Sequence, residues 1–194
     1  AAANAQAQAS AAQNKADQAK ADAAAAKKAA EENKYEPPYD PYPPDYTCFV
    51  AGTLIRMADG TDKKIEDVKL GDFVLGQEGM HNEVQYIDRP ILGSRNLLGI
   101  NGSGPWVTPE HPLFTREGWK SYCLEDTYKE SPEFESFMTG EYRVGDELLN
   151  IDGEWIKIET IEIYEDEPSD QILYNFRLGG NDTYFADTLS AHNG

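Results

Sequence analysis

Residues 35–46 read Tyr-Glu-Pro-Pro-Tyr-Asp-Pro-Tyr-Pro-Pro-Asp-Tyr, a run that can be neither helix nor central strand. Each proline fixes its own φ, removes a backbone donor and pushes its predecessor toward extended backbone. A semi-rigid linker is therefore expected over residues 35–47. It splits the 194-residue chain into an arm, residues 1–34, and a remainder, residues 48–194, of the size of one ordinary domain. Pro43-Pro44-Asp45-Tyr46 also fits a short Pro-Pro-x-Tyr ligand for aromatic-grooved domains, but Pro/Tyr linkers match that pattern by accident and nothing else in the chain points to such a partner.

The arm is mostly alanine with scattered Gln, Asn, Lys, Asp and Glu. Such a stretch has high helix propensity and almost no apolar surface to bury. Two readings follow: a solvated helical arm, or a stalk that self-associates through closely packed alanines.

Asp and Glu outnumber Lys and Arg by 35 to 17, for a net charge of −18 at pH 7. Phosphate contacts need clustered Lys and Arg, so no nucleic-acid partner is expected. No apolar run approaches the roughly 20 residues that span a bilayer, and no charged-then-apolar signal segment opens the chain, so no membrane partner is expected either. The first residue is not Met, which suggests a segment of something longer. Localisation stays open, with a virion or a cell surface as settings the arm would suit.

From residue 49 onward the pattern is one of many short strands. Thr53–Met57 alternates and ends at the turn Ala58-Asp59-Gly60-Thr61; a second turn, Ile151-Asp152-Gly153-Glu154, separates Glu147–Leu149 from Trp155–Tyr164. Phe73–Leu75, Glu83–Asp88, Trp106–Thr108 and Gln171–Leu178 read as further strands. The expected class is all-β. Within Trp155–Tyr164, Ile156 and Ile158 share one parity while Ile161 and Ile163 fall on the other. A one-residue slip moves every side chain to the opposite face, so this segment must bulge or bend near Glu159 and Thr160. Long, bent strands that pass from one sheet to another are implied.

Several blocks then carry a resemblance. Cys48-Phe49-Val50-Ala51-Gly52-Thr53-Leu54-Ile55, with Ile65 to Leu75 behind it, resembles the opening block of inteins and bacterial intein-like domains. Val107-Thr108-Pro109-Glu110-His111-Pro112 resembles their Thr-x-x-His block. Leu173–Phe176 with Thr183–Ala186, and then Ala191-His192-Asn193, resemble the paired strands and terminal His-Asn of the downstream junction. Four blocks in the family's order nearly fill residues 48–193. The resemblance is to Hint (hedgehog/intein) domains, closest in pattern to bacterial or phage intein-like autoprocessing domains, and it implies a horseshoe-like all-β fold and a domain that cuts its own backbone. Its partners would be the flanking segments of its own polypeptide, and it would need no cofactor and no metal.

The chemistry accounts for these residue types. An amide resists attack at neutral pH, so a self-cleaving domain must set a nucleophile beside the bond and polarise that bond. The Cys48 sulfur can reach the Thr47 carbonyl through a five-membered ring and convert the amide to a thioester. The resemblance makes His111 the proton donor to the amide nitrogen and Thr108 the residue that holds the imidazole or the amide. Downstream, the Asn193 side chain can close on its own carbonyl as a succinimide, with His192 polarising that carbonyl or protonating the leaving amine. Asn-Gly also favours succinimide closure because glycine leaves the backbone unhindered.

Two departures shape the expectation. Ligation needs Cys, Ser or Thr after the terminal Asn, and Gly194 stands there, so separate cleavage at Thr47-Cys48 and Asn193-Gly194 is expected. Many relatives have His eleven residues before the final Asn, where this chain has Asp182, and many inteins have Asp where Asn175 stands. Both residues are therefore accessory candidates; Asp182 either orients His192 or slows the downstream step. The acidic insertion over residues 120–144 reads as a solvated excursion or small helix, with Cys123 a bystander. His81 reads as a surface residue. Cys48 and Cys123 make no paired-ligand spacing with His81 and His111, and a single disulfide or two buried thiols are the plainer readings.

Two other functions stay in view. One is an inactive Hint fold kept as a structural or interaction module, for which the arm, similar to phage tail-fibre stalks, would matter more. The other is a Cys-His hydrolase acting in trans, for which no substrate cleft signature is evident.

Overall fold

The computed structural model describes residues 47–193; the Ala-rich arm, the linker up to residue 46 and Gly194 lie outside them. Fifteen strands carry nearly all the regular structure of this region. In chain order these are β1 (Phe49–Val50), β2 (Leu54–Arg56), β3 (Asp62–Lys64), β4 (Phe73–Leu75), β5 (His81–Asp88) and β6 (Leu97–Ile100). Next come β7 (Leu113–Thr115), β8 (Gly118–Ser121), β9 (Met138–Glu141), β10 (Glu147–Leu149) and β11 (Trp155–Lys157). The series ends with β12 (Ile161–Tyr164), β13 (Leu173–Gly179), β14 (Thr183–Ala186) and β15 (Leu189–His192). One helix, α1 (Leu124–Glu130), and a 3-10 turn over Pro132–Ser136 lie in the acidic insertion.

The strands form three hydrogen-bonded groups: β1-β13-β5-β4; β11-β10-β7-β15-β14-β2-β3 with β8 and β9 attached at β7; and the pair β12-β6. Most of their inward side chains share one core, among them Phe49, Ile55, Val74, Leu113, Leu148, Phe176 and Tyr184, and Leu97 and Leu173 pack with Cys48 and Leu92 in a second, smaller cluster. The segment Trp155–Tyr164 breaks where its pattern changes parity. β11 pairs with β10, β12 pairs with β6, and Ile158 between them is fully buried. Asn101 braces the break, its Oδ1 accepting from the Glu159 N–H at 2.7 Å and the Thr160 N–H at 3.1 Å.

Two expectations are corrected. Trp106–Thr108 is not a ladder strand: Val107 makes isolated bridges to Phe49 and Leu98. Pro105 and Pro109 bracket it, and prolines cannot donate to a ladder. Of the two readings of the insertion, the small helix holds, as α1, and the solvated excursion does not, since Thr127 and Phe134 within it are buried.

This topology brings the domain's two ends to one place. β1 begins one residue after Cys48 and pairs with β13, Phe49 opposite Tyr174. β15 ends one residue before Asn193, paired with β14 on one side and with β7 on the other. The loop between Val107 and Leu113 touches both: the Thr108 N–H donates to the Cys48 carbonyl at 3.0 Å, and the His192 N–H to the Pro112 carbonyl at 3.2 Å.

Candidate functional site

At the upstream end, Thr47 and Cys48 are fully buried. The Cys48 N–H, half of the Thr47-Cys48 amide, donates to Thr108 Oγ1 at 2.9 Å. The prolines around Trp106–Thr108 keep that segment out of a continuous ladder, and Thr108 binds Cys48, the residue before β1.

His111 is fully buried, its ring 4.3 Å from that of Phe49 between centroids. Burial pushes its pKa down to about 3, the neighbouring His192 pushes the same way, and a hydrogen bond of the protonated ring to the Thr47 main chain opposes them. The imidazole is therefore neutral across the physiological range. The Tyr184 hydroxyl donates to Asn175 Oδ1 at 3.1 Å and stands 3.5 Å from His111 Nε2. Beside His111, Glu110 is buried with its carboxyl pushed up by burial, against the pull of Arg95 at 3.4 Å.

At the downstream end, Asn193 is fully buried, and its N–H donates to the Asp182 carbonyl at 2.8 Å. Its side-chain Nδ2, the nitrogen that would attack in a cyclisation, has no hydrogen-bond partner among the described residues. The His192 ring lies among Trp119, Phe134 and Phe137 with centroids at 5.1, 5.3 and 4.5 Å. Burial lowers its pKa to about 4.

Asn175 joins the two ends. Its Nδ2 donates to Thr47 Oγ1 at 3.0 Å and to Asn193 Oδ1 at 2.7 Å. One carboxamide thus contacts the residue before the upstream junction and the residue at the downstream one.

Comparison with known proteins places this arrangement. Residues 48–92 match the sequence model of the family described as Hom_end-associated Hint. The solution structure of a bacterial intein-like domain from Clostridium thermocellum covers 75% of this chain and 98% of its own, at 26% identity and a TM-score of 0.55. The crystal structure of the gp41-1 intein covers 76% and 98%, at 19% identity and a TM-score of 0.54. Residues 48–193 have the Hint fold.

This is the fold of autoprocessing and protein-splicing domains. Among curated proteins, the chain is 50% identical over 42 residues to the catalytic component of the V-type proton ATPase of Candida tropicalis, a match that takes in 22% of this chain and 4% of that protein. The chain therefore spans only a small part of the curated relative it matches there.

Within the Hint domain, Cys48, Thr108, His111, Asn175, His192 and Asn193 come together. Asp182 joins them through its main-chain carbonyl; its half-buried carboxyl, raised by burial, is not hydrogen-bonded to His192, whose Nδ1 is without a hydrogen-bond partner among the described residues. Neither Cys48 nor Cys123 is in a disulfide. Cys123 stands apart from the junctions, its Sγ–H donating to Asp126 Oδ2 at 2.9 Å. His81 opens β5 and is exposed. Sequence reasoning missed Tyr184 and the aromatic surround of His192. Both depend on long-range approach, and nothing in their local pattern marks them.

Proposed function

We propose that this Hint domain cuts its own backbone at Thr47-Cys48 and at Asn193-Gly194 and does not join the flanks. The observation that carries the reading is the Asn175 carboxamide bonded at once to Thr47 and Asn193, because a domain with two scissile junctions must hold both ends at one centre.

In the upstream step the Cys48 sulfur bonds to the Thr47 carbonyl carbon as the C–N bond breaks. The thiol proton must reach the departing nitrogen. A neutral imidazole suits that transfer, since it can take the proton from sulfur and release it to nitrogen. Thr108 holds the amide in place through Cys48 N–H. Water or an added thiol then cleaves the thioester and frees the upstream segment. In the downstream step Asn193 Nδ2 bonds to the Asn193 carbonyl carbon, the bond to Gly194 breaks, and the Gly194 amine leaves with the proton Nδ2 gives up, with His192 as the relay. Gly194 has no side-chain nucleophile to accept the upstream acyl group, so the expected products are fragments rather than a ligated chain.

The test is the full chain with a tag on each flank. We expect fragments that end at Thr47 and fragments that start at Gly194, identified by mass. Cys48→Ala should remove the first kind and Asn193→Ala the second. A fusion that stays intact for days with and without thiol would favour an inactive Hint fold serving as a structural module.

A further inference from the structure

The acidic insertion makes two sets of contacts that the proposed chemistry does not use. Its base is fastened to the loop that carries His111. The Tyr122 and Cys123 N–H groups both donate to the Pro109 carbonyl at 2.9 Å, and the Thr127 hydroxyl donates to the Glu110 carbonyl at 2.8 Å. Its far end reaches the other imidazole. Phe134, on the 3-10 turn, and Phe137, just after it, meet at 4.9 Å with their rings tilted by 52°, and both approach His192, Phe134 edge-on at 5.3 Å and Phe137 at 4.5 Å. Trp119, on β8 at the start of the insertion, closes a third side at 5.1 Å, nearly edge-on at 76°.

Three aromatic rings around one imidazole restrict its rotation and leave it only partly open to water. A hydrogen-bonding partner would ordinarily fix such a ring, yet His192 Nδ1 has none among the described residues, and the Asp182 carboxyl does not supply one. Shape is left to set its direction. Phe137 is only partly buried whereas Phe134 is buried to 1% exposure, so Phe137 is the ring that can be altered with the smaller loss of core.

We propose that the segment from Trp119 to Phe137 is a positioning cap for the downstream junction, in which Phe134, Phe137 and Trp119 hold the His192 ring where it can serve Asn193. This rests on the reading of Asn193-Gly194 as a cleavage point. Phe134, Phe137 and Trp119 are positioning residues, acting on the reaction only through His192. The three rings of the cap act on the second junction, while its base is fastened to the loop that carries His111.

The experiment uses the full chain tagged on both flanks and follows both fragments in one reaction, so that the upstream cut is the internal control. Phe137→Ala is expected to slow release after Asn193 by about tenfold or more, since small misplacements of a catalytic group have effects of that order, while thiol-induced cleavage before Cys48 keeps its rate. Phe137→Tyr, which preserves the ring, is expected to restore the downstream rate. In NMR spectra of a Cys48→Ala, Asn193→Ala background, the His192 ring protons should sit upfield under the surrounding rings and move back when Phe137→Ala is added. An unchanged downstream rate and unchanged His192 resonances in Phe137→Ala would overturn the cap, as would equal slowing of both cuts. A parent chain that never releases the fragment starting at Gly194 would instead overturn the downstream reading on which the cap rests.

Discussion

Asn175 makes three hydrogen bonds with one carboxamide: it accepts from Tyr184 and donates to Thr47 and Asn193. All four groups are buried, so truncating Asn175 strands three partners away from water. Each unsatisfied group costs about 1–3 kcal/mol, though small shifts recover part of that. Asn175→Ala is expected to destabilise the domain by about 2–4 kcal/mol in denaturant unfolding and to slow both cuts, because both ends lose one tether. Tyr184→Phe removes the bond to Asn175 and the contact with His111 and should lower stability by about 1 kcal/mol. If Asn175→Ala affected one junction alone, its bridging role would be wrong. Cys48, His192 and Asn193 were legible as site candidates because the chemistry at a junction ties residue type to chain position, and Thr108 and His111 only through the resemblance of their block to Thr-x-x-His. Tyr184 was not, since a tyrosine in a buried strand reads as core until a partner from another strand is seen.

The strand pattern conveyed seven of the fifteen strands, β2, β4, β5 and β10 to β13; the others are mostly two to four residues long, too short to show an alternation, and the misreadings have local causes. Phe73–Leu75 and Glu147–Leu149 form strands with the boundaries their patterns indicate. Trp106–Thr108 reads as a strand by side-chain type, but the flanking prolines deny it a ladder. At Glu159 and Thr160 the parity change was visible, whereas the brace was not: Asn101, 58 and 59 residues away, sits at φ 52° and receives both N–H groups while its Nδ2 donates to the Lys157 carbonyl. That left-handed backbone is tolerated by Asn and unfavourable for Ala by about 1 kcal/mol. Asn101→Ala should therefore destabilise the domain by about 1–3 kcal/mol, and Asn101→Gly by less, since glycine relieves the backbone but not the lost bonds. Equal unfolding midpoints for the two variants would show that backbone strain plays no part.

At the scale of the molecule, burial of two imidazoles makes stability depend on pH in a definite direction. His111 is lowered to about 3 and His192 to about 4, from an ordinary 6.5. Between those values the unfolded chain binds protons that the folded domain refuses, so stability rises with pH through that window and is fully present above about 6.5. Glu110, Asp182 and Asp187 are raised by burial; above the ordinary carboxylate range the folded state holds their protons more tightly, and they oppose the trend there. Thermal unfolding of a Cys48→Ala, Asn193→Ala parent should lose on the order of a few kcal/mol between pH 7 and pH 4. Adding His111→Gln should flatten that slope, and an unchanged slope would mean the ring is not held neutral by the fold. The all-β Hint architecture was evident from the ordered blocks, whose chain order follows from the fold's need to bring distant segments together. The cap over His192 was not, because the insertion's composition is acidic and its few aromatics gain meaning only from where they land.

Since one carboxamide reaches from Thr47 to Asn193, a polypeptide that runs into this domain and out again does so at a single spot. A domain closed in this way could be set into one turn of another fold without prising apart the regions on either side of it.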